Sequence, residues 1–225
     1  MAAKIIVFCN KKGGPGKTTL AINIGATLAE NGEVIVIDAD PQQSAVKWNG
    51  AAPEDSPLPM TIMGYTHEKV HQAIRKVVDR YDYILVDTPP SSLAVSTITR
   101  SALIAANLAI VPVIPSPLDI WEAISIAELL AEINTLRESG DVEPLQARIL
   151  VNKLKTGTTL ATEIGEALGN IGIPVLKTAI HEREAYKHAV VDGCTVHALR
   201  GGGQGAKAAT EEIRAVTKEI KTLVG

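Results

Sequence analysis

The chain has 225 residues, a formal net charge of −3 and a hydrophobic content of 46%. This composition is that of a globular protein, and we expect residues 1–225 to form a single domain with a sizeable core. Aromatic residues make up only 3% of the chain, which argues against a base-stacking platform for nucleic acid. Cys9 and Cys194 have no metal-ligand spacing, and no apolar run reaches transmembrane length, so we expect a cytoplasmic protein.

Apolar runs alternate with longer helical patterns along the chain. The runs predict strands at 5–9, 34–37, 60–63, 83–86, 109–114, 147–151 and 174–176. The longer patterns predict helices at 20–29, 66–79, about 92–105, 119–138, about 158–169, 182–190 and 206–223. This alternation predicts an α/β fold, with a mostly parallel sheet that carries helices on both faces. Ligands bind such sheets at the carboxyl ends of the strands.

A glycine-rich loop joins the first predicted strand to the first helix, and it has the features of a phosphate-binding loop. Its glycines allow successive backbone N–H groups to face phosphate oxygens, and the following helix adds its positive end. Lys17 can reach the β- and γ-phosphates, while the Thr18 hydroxyl can ligate Mg²⁺. The sequence therefore predicts ATP and Mg²⁺ as ligands. The residues expected to bind nucleotide are Lys12, Gly13, Gly14, Gly16, Lys17, Thr18 and Thr19.

Three aspartates follow predicted strands and are candidates for magnesium or water chemistry. Asp87 ends an apolar strand, a position suited to holding Mg²⁺, although an aspartate also commonly begins a turn. Asp38 and Asp40 stand two apart at another strand end. One of these carboxylates is expected to support the metal and the other to orient the attacking water. The alternative for Asp40 is a turn or helix N-cap before Pro41.

Asn152 follows the strand at 147–151, and its amide offers both donors and an acceptor to a purine edge. It is therefore a candidate for adenine recognition. A strand-end asparagine with no ligand fits the sequence equally well.

The last helix carries an apolar stripe and, on roughly the opposite side, a basic face. The stripe consists of Ile213, Val216, Ile220 and Leu223, and the basic face of Lys207, Arg214, Lys218 and Lys221. This pattern is typical of a core-packed helix with a solvated face, or of a surface that contacts DNA phosphates without sequence preference. Glu211 lies among the basic residues and counts against the second interpretation. Arg183 and Lys187 are further candidates for DNA contact.

Three motifs give the chain a family resemblance. Lys12-Gly13-Gly14-Pro15-Gly16-Lys17-Thr18 matches the deviant Walker A pattern K-G-G-x-x-K-[ST], and Asp38-Ala39-Asp40-Pro41-Gln42 and Asp87-Thr88-Pro89-Pro90 accompany it. In these motifs the chain resembles the ParA/MinD ATPases. The resemblance implies Mg²⁺-dependent ATP hydrolysis with Lys12, Lys17 and Asp40 as catalytic residues. It places Thr18, Asp38 and Asp87 near the metal, and Asn152 at the adenine. Pro15 departs from the family pattern and leaves the loop geometry open.

The resemblance also implies a homodimer and a biological role. Lys12 would reach across a nucleotide-sandwich dimer to the phosphates of the partner. The expected function is that of a ParA-like, nucleoid-associated ATPase that positions or segregates a plasmid, a chromosome region or a protein body such as a carboxysome. It would bind DNA non-specifically as an ATP dimer, and a ParB-like or other cargo-adaptor protein would stimulate hydrolysis. Since the chain begins at its first strand, we expect the small type without an N-terminal helix-turn-helix.

Two alternatives stay open. A MinD-like ATPase would dock its last helix on a membrane, but that helix lacks Phe and Trp. A P-loop metabolic kinase would need a pocket for an acceptor substrate, and the sequence offers no clear candidate.

Overall fold

The computed structural model describes residues 3–90, 97–155 and 171–225. It contains a six-stranded sheet in the order β3-β2-β4-β1-β5-β6, in which every neighbouring pair is parallel. The strands are β1 (Lys4–Phe8), β2 (Val34–Asp38), β3 (Thr61–Gly64), β4 (Tyr83–Asp87), β5 (Leu108–Val113) and β6 (Gln146–Val151). The predicted parallel sheet is confirmed.

Helices connect the strands and cover both faces of the sheet, which buries the side chains of the continuous apolar strands. They are α1 (Lys17–Ala29), α2 (Ser44–Ala51), α3 (Val70–Val77), α4 (Thr97–Ala105), α5 (Pro117–Ser139), α6 (Glu184–Val191) and α7 (Gly203–Val224). Helix α2 was not predicted; it is short and buries only Ala45 and Trp48. The helix predicted at 158–169 and the start of the one predicted at 92–105 lie outside the described residues.

The sheet separates two apolar layers. Along β1, Ile5 and Val7 point into a layer shared with α3, α4 and α5. Ile6 and Phe8 point into the other layer, which is shared with α1, α2, α6 and α7. Because side chains alternate along a strand, this double burial explains why the strands are apolar throughout.

The prediction of a strand at 174–176 is wrong in length, because only one residue of it pairs with the sheet. Val175 forms only a single parallel bridge with Ile149, beside β6 at the edge of the sheet. Two backbone bonds support it: the Ile149 N–H donates to the Pro174 carbonyl at 2.9 Å, and the Leu176 N–H donates to the Ile149 carbonyl at 2.8 Å. Pro174 has no N–H for a longer ladder.

Helix α7 packs its apolar stripe inward and leaves its basic face to solvent. Ile213, Val216 and Ile220 are fully buried, and Leu223 packs at the edge of the same layer. The four basic side chains predicted for the opposite face are exposed. Among the described residues, no helix is long and apolar enough to span a bilayer.

A buried arginine closes the end of α5 against the turn between α4 and β5. The Arg137 side chain donates to the carbonyls of Ile104 (2.8 Å), Ala106 (2.9 Å) and Glu143 (2.7 Å). Buried carbonyls that lose their donors raise the free energy of the folded state.

We expect Arg137→Met to lower the free energy of unfolding by about 3 kcal/mol, because it leaves these carbonyls without a donor. Arg75→Met is the control. Arg75 is exposed on α3, and its replacement should change the free energy of unfolding by less than about 0.5 kcal/mol. Urea unfolding followed by circular dichroism measures both. Equal effects of the two substitutions would contradict the structural role of Arg137.

Candidate nucleotide site

Several of the predicted site residues lie together at the carboxyl edge of the sheet. In the register of the strands, Phe8 at the end of β1 pairs with Asp87, which in turn pairs with Asp38. The glycine-rich loop leaves β1 at this point and leads into α1. The topology therefore brings the loop and two of the three aspartates side by side, as the sequence predicted.

Two glycines of the loop adopt a backbone conformation that other residues avoid. Gly14 and Gly16 both have φ of 93°. A Cβ atom on Gly16 would also lie 2.4 Å from Nδ2 of Asn152, whereas a Cβ on Gly14 would meet open space. Gly16 is thus required both by its φ angle and by the close approach of Asn152.

The loop is braced from the end of β6. Nδ2 of Asn152 donates to the Pro15 carbonyl at 2.6 Å, and Nζ of Lys153 donates to the Gly14 carbonyl at 2.7 Å. Pro15 cannot offer an N–H of its own to phosphate, but its carbonyl provides an anchor for the loop. This role of Lys153 was not predicted from the sequence, and for Asn152 only adenine recognition or a strand end without a ligand was considered.

Lys17 lies at the bottom of the loop and is 6% exposed. Its Nζ donates to the carbonyl of Lys12 at 3.1 Å. Burial lowers the pKa of Lys17, while the nearby Asp87 carboxylate counteracts that shift. Lys17 is therefore a buried lysine that borders the cleft over the loop, and its contact with the β- and γ-phosphates stays a prediction.

Thr18 and Asp87 form a pair of oxygen ligands suited to Mg²⁺. Oγ1 of Thr18 donates to Oδ2 of Asp87 at 2.5 Å. The other carboxylate oxygen, Oδ1, is buried and has no hydrogen-bond partner among the described residues. Burial raises the pKa of Asp87 to about 7. An unpaired carboxylate oxygen beside a hydroxyl fits a hard divalent cation.

Asp38 and Asp40 have different surroundings. Oδ2 of Asp38 accepts the backbone N–H groups of Ala45 (2.9 Å) and Val46 (3.1 Å), and its Oδ1 accepts that of Asp40 (3.2 Å). Asp38 thus caps the start of α2, and its place near the metal stays a prediction. Oδ1 of Asp40 accepts the N–H of Gln42 at 2.9 Å, an aspartate turn that the sequence analysis allowed.

Two adjoining cavities follow the loop. A cleft of about 300 Å³ lies over it, and its lining includes Asp40, Trp48 and the loop residues Gly13, Gly14, Gly16, Lys17, Thr18 and Thr19. A second cavity of about 150 Å³ is lined in part by Leu20, Ile180, Tyr186 and Val190. Gly16, Thr19 and Val190 border both cavities. Their joint form suits a polar phosphate chain followed by a flat apolar base.

The side chain of Lys12 points away from the cleft over the loop. Its Nζ lies 3.5 Å from Oδ1 of Asp119 and 3.9 Å from Oε2 of Glu122, both in the first turns of α5. It is not among the residues that line the phosphate cleft. The two lysines of the loop are therefore separated, with Lys17 inside the cleft and Lys12 against α5.

Comparison with known proteins identifies the family. The model of the CobQ/CobB/MinD/ParA nucleotide binding domain matches residues 6–196. The chain belongs to this family. The predicted ParA/MinD resemblance is confirmed, and members of the ParA/MinD family are P-loop ATPases.

Several relatives match the chain over nearly its whole length. A maintenance of carboxysome distribution protein A from Halothiobacillus neapolitanus is 29% identical over 96% of this chain and 95% of the relative. The chromosome-partitioning ATPase Soj from Thermus thermophilus is 30% identical over 95% of this chain and 96% of the relative. A solved complex of Cyanothece McdA with ATP covers 97% of this chain and 96% of its own, with a TM-score of 0.76 and 18% identity. This last similarity concerns the fold alone.

The candidate DNA-binding residues of this ParA/MinD member fall into two groups. Lys207, Lys218 and Lys221 are exposed on α7, and Arg214 on the same face donates to Glu30 at 2.7 Å. Arg183 and Lys187 instead border the smaller cavity, where they pair with Glu212 and Glu184 respectively. A DNA phosphate would have to compete with those carboxylates. DNA contact by either group stays a prediction.

We expect Asn152→Ala to weaken binding of ATP and of inorganic triphosphate by the same factor, about tenfold. The reason is that the loop loses the donor to Pro15, which is worth about one buried hydrogen bond. Isothermal titration calorimetry measures both affinities. A loss confined to ATP would instead assign Asn152 to the base.

Asn107→Ala is the matched control for this prediction. Oδ1 of Asn107 accepts the Ile5 N–H at 2.8 Å, near the start of β1 rather than at the loop. This substitution should lower stability and leave both affinities unchanged.

Proposed function

We propose that this chain is a ParA-like ATPase that positions or segregates a cargo through ATP-dependent dimerisation and non-specific DNA binding. All 225 residues would act as one P-loop ATPase domain. The observation that supports this proposal most directly is the position of Lys12. It belongs to the phosphate-binding loop, yet its ammonium lies outside the cleft of its own protomer and against α5.

A lysine in this position suits phosphates that belong to a second copy. Positive charge stabilises phosphoryl transfer only where it meets the charge that develops on the transferred group. When two ATP-loaded protomers face each other, each Lys12 would meet the phosphates of the other protomer. Hydrolysis would then depend on dimerisation.

The cleft of each protomer has residues for the remaining steps. Lys17 would hold the β- and γ-phosphates, and Asp40 would orient the attacking water. Thr18 and Asp87 would hold Mg²⁺, with Asp38 behind them as the cap of α2. The ion would neutralise charge on the β- and γ-phosphate oxygens.

The basic face of α7 is proposed to contact DNA phosphates. Lys207, Lys218 and Lys221 are exposed there, with Arg214 between them. Contacts of this kind carry no sequence information and weaken as salt rises. The apolar stripe of α7 packs against the core rather than facing outward. This packing favours DNA over the membrane docking of a MinD-like protein.

The relatives indicate the class of cargo. By their names, one acts in carboxysome distribution and another in chromosome partitioning. The proposal therefore covers a plasmid, a chromosome region or a protein body such as a carboxysome. The DNA that the ATPase binds would be that of the nucleoid. A ParB-like or other adaptor on the cargo would stimulate hydrolysis. A metabolic kinase would instead respond to a small phosphate acceptor.

We expect the protein to bind non-specific duplex DNA at least about tenfold more tightly with ATP than with ADP or without nucleotide. Since each dimer presents two basic faces, raising the salt from about 50 to about 200 mM should weaken binding steeply. Fluorescence anisotropy with a random duplex measures this. Equal binding in all nucleotide states would contradict the proposed DNA-tethered ATPase.

Charge removal on α7 supplies the control for this experiment. The slope of the logarithm of the binding constant against the logarithm of the salt concentration reports how many phosphates the protein neutralises. Lys218→Ala with Lys221→Ala should make this slope shallower by about 2 for each protomer that touches the DNA. The control is Lys69→Ala with Lys76→Ala, which removes two exposed charges, one just before α3 and one within it. This double substitution should leave the slope unchanged.

We expect Lys12→Ala to retain ATP binding but to lose hydrolysis stimulated by DNA and adaptor, by at least about 100-fold. Lys17 and the other residues that line the cleft are unchanged in this variant, which removes the charge proposed to reach the partner and the contact with α5. Phosphate release measures turnover. The control is Lys11→Ala, which removes the neighbouring lysine of the same loop and should keep stimulated turnover. Normal stimulation in the Lys12 variant would exclude its action across the dimer.

A further inference from the structure

A glutamate on α7 holds the segment that leads into α6. Oε2 of Glu212 accepts the backbone N–H of His181 at 3.2 Å, and Oε1 lies 2.8 Å from Nδ1 of the same histidine. The guanidinium of Arg183 donates to both oxygens, at 3.2 and 2.5 Å. Because an ionised carboxylate only accepts hydrogen bonds, Nδ1 of His181 carries the proton in this contact. One side chain thus fixes two residues of the segment.

The two residues that Glu212 holds border the smaller cavity beside the phosphate cleft. His181 and Arg183 line it together with apolar side chains that include Leu20 and Tyr186. Glu212 is not among the lining residues of either cavity. It can therefore affect a bound molecule only through the residues that it holds.

The same segment is also attached to the chain that follows β6. The Ile180 N–H donates to the Val151 carbonyl at 2.9 Å, and the Glu182 N–H donates to the Leu154 carbonyl at 3.0 Å. The residue between them donates its N–H to the α7 carboxylate instead. This wall of the cavity therefore has two attachments, one to the sheet edge and one to α7, and only the second depends on a side chain.

We propose that Glu212 is a positioning residue for the base of the nucleotide, because it fixes His181 and Arg183 in the wall of the smaller cavity. This inference rests on the proposed ATPase function, since it assigns that cavity to the base of ATP. The phosphate cleft is lined by neither of the two residues that Glu212 holds. Loss of Glu212 should therefore affect the base and leave the phosphates in place.

The charge of Glu212 is what keeps the Arg183 guanidinium in place. The side chains of Glu212 and Arg183 are 14% and 24% exposed, so water screens their contact only in part. Burial opposes ionisation of Glu212, but the hydrogen bonds from Arg183 and His181 outweigh it and lower the pKa of the carboxyl. Without this partner the guanidinium would lose both of its charge-assisted hydrogen bonds and would be free to turn into the cavity that it borders.

The test compares wild type and Glu212→Gln in their binding of ATP and of inorganic triphosphate by isothermal titration calorimetry. Glutamine has nearly the same size, but it lacks the charge and one of the two acceptor oxygens. We expect the variant to bind ATP about tenfold more weakly, the order of one hydrogen bond to a charged group. Its affinity for triphosphate should stay unchanged, because the phosphate cleft is intact.

A second glutamate on α7 supplies the matched control. Glu219 accepts the backbone N–H groups of Lys177 and Thr178, at 2.8 and 2.9 Å. It thus braces the chain just before the cavity wall, yet neither of these two residues lines a cavity of the site. Glu219→Gln should leave the affinities for ATP and for triphosphate unchanged. A loss of ATP affinity equal to that of the Glu212 variant would show a general effect of α7 and would overturn the proposal.

A second variant keeps the proposal testable if thermal melting shows that Glu212→Gln does not fold. Arg183→Lys retains the positive charge but cannot donate to both carboxylate oxygens in the same planar geometry. We expect it to weaken ATP binding about threefold and to leave triphosphate binding unchanged. No loss of ATP affinity in this variant would overturn the proposal.

The outcomes also separate this inference from the proposed function. Wild-type protein that does not bind ATP would remove both together. If wild type binds ATP and the Glu212 variant keeps its affinity, or loses affinity for ATP and triphosphate equally, the inference alone is removed. A loss confined to ATP would assign Glu212 to the positioning of the base.

Discussion

The site depends on where the carbonyl groups of the phosphate-binding loop find partners. A loop that turns its N–H groups toward phosphate must turn carbonyls away from it, and buried carbonyls need donors. Asn152 and Lys153 supply donors to Pro15 and Gly14 from the end of β6, and Lys17 supplies one to Lys12 from within the loop. The loop is therefore shaped before nucleotide arrives. The strand order makes this possible, because only β5 separates β1 from β6. Since the three strands are parallel, β1 and β6 end at the same side of the sheet.

The same edge concentrates charge that the protein alone does not fully balance. Asp38, Asp87 and Lys17 are all buried. Asp38 is stabilised by backbone N–H groups of α2, whereas Asp87 accepts the Thr18 hydroxyl and has one oxygen without a partner in the described part of the chain. Burial accordingly raises the pKa of Asp87 to about 7. A divalent cation would reverse that effect by favouring the ionised carboxylate. The unpaired oxygen of Asp87 therefore supports the proposal that this site holds a metal–nucleotide complex.

Much of this arrangement was predictable because it is local in sequence. The apolar runs predicted the strands, and the glycines with Lys17 and Thr18 predicted the loop, since each signal lies within a few residues. The bracing by Lys153 and the contact of Lys12 with Asp119 were not predictable in this way. Each joins residues more than 100 positions apart, and their pairing depends on the order of strands in the sheet. Helix α2 was missed because its start is capped by Asp38, six residues upstream, rather than by a residue with a local cap signature.

The two lysines of the loop lie in different surroundings. Lys17 begins α1, so the helix directs it into the cleft of its own chain. Lys12 precedes the glycines and has no helix to direct it, and the carboxylates of Asp119 and Glu122 hold its ammonium where it rests. The proposed action of Lys12 across a dimer requires a lysine outside the cleft of its own chain, since its charge is then available to the phosphates of a second protomer.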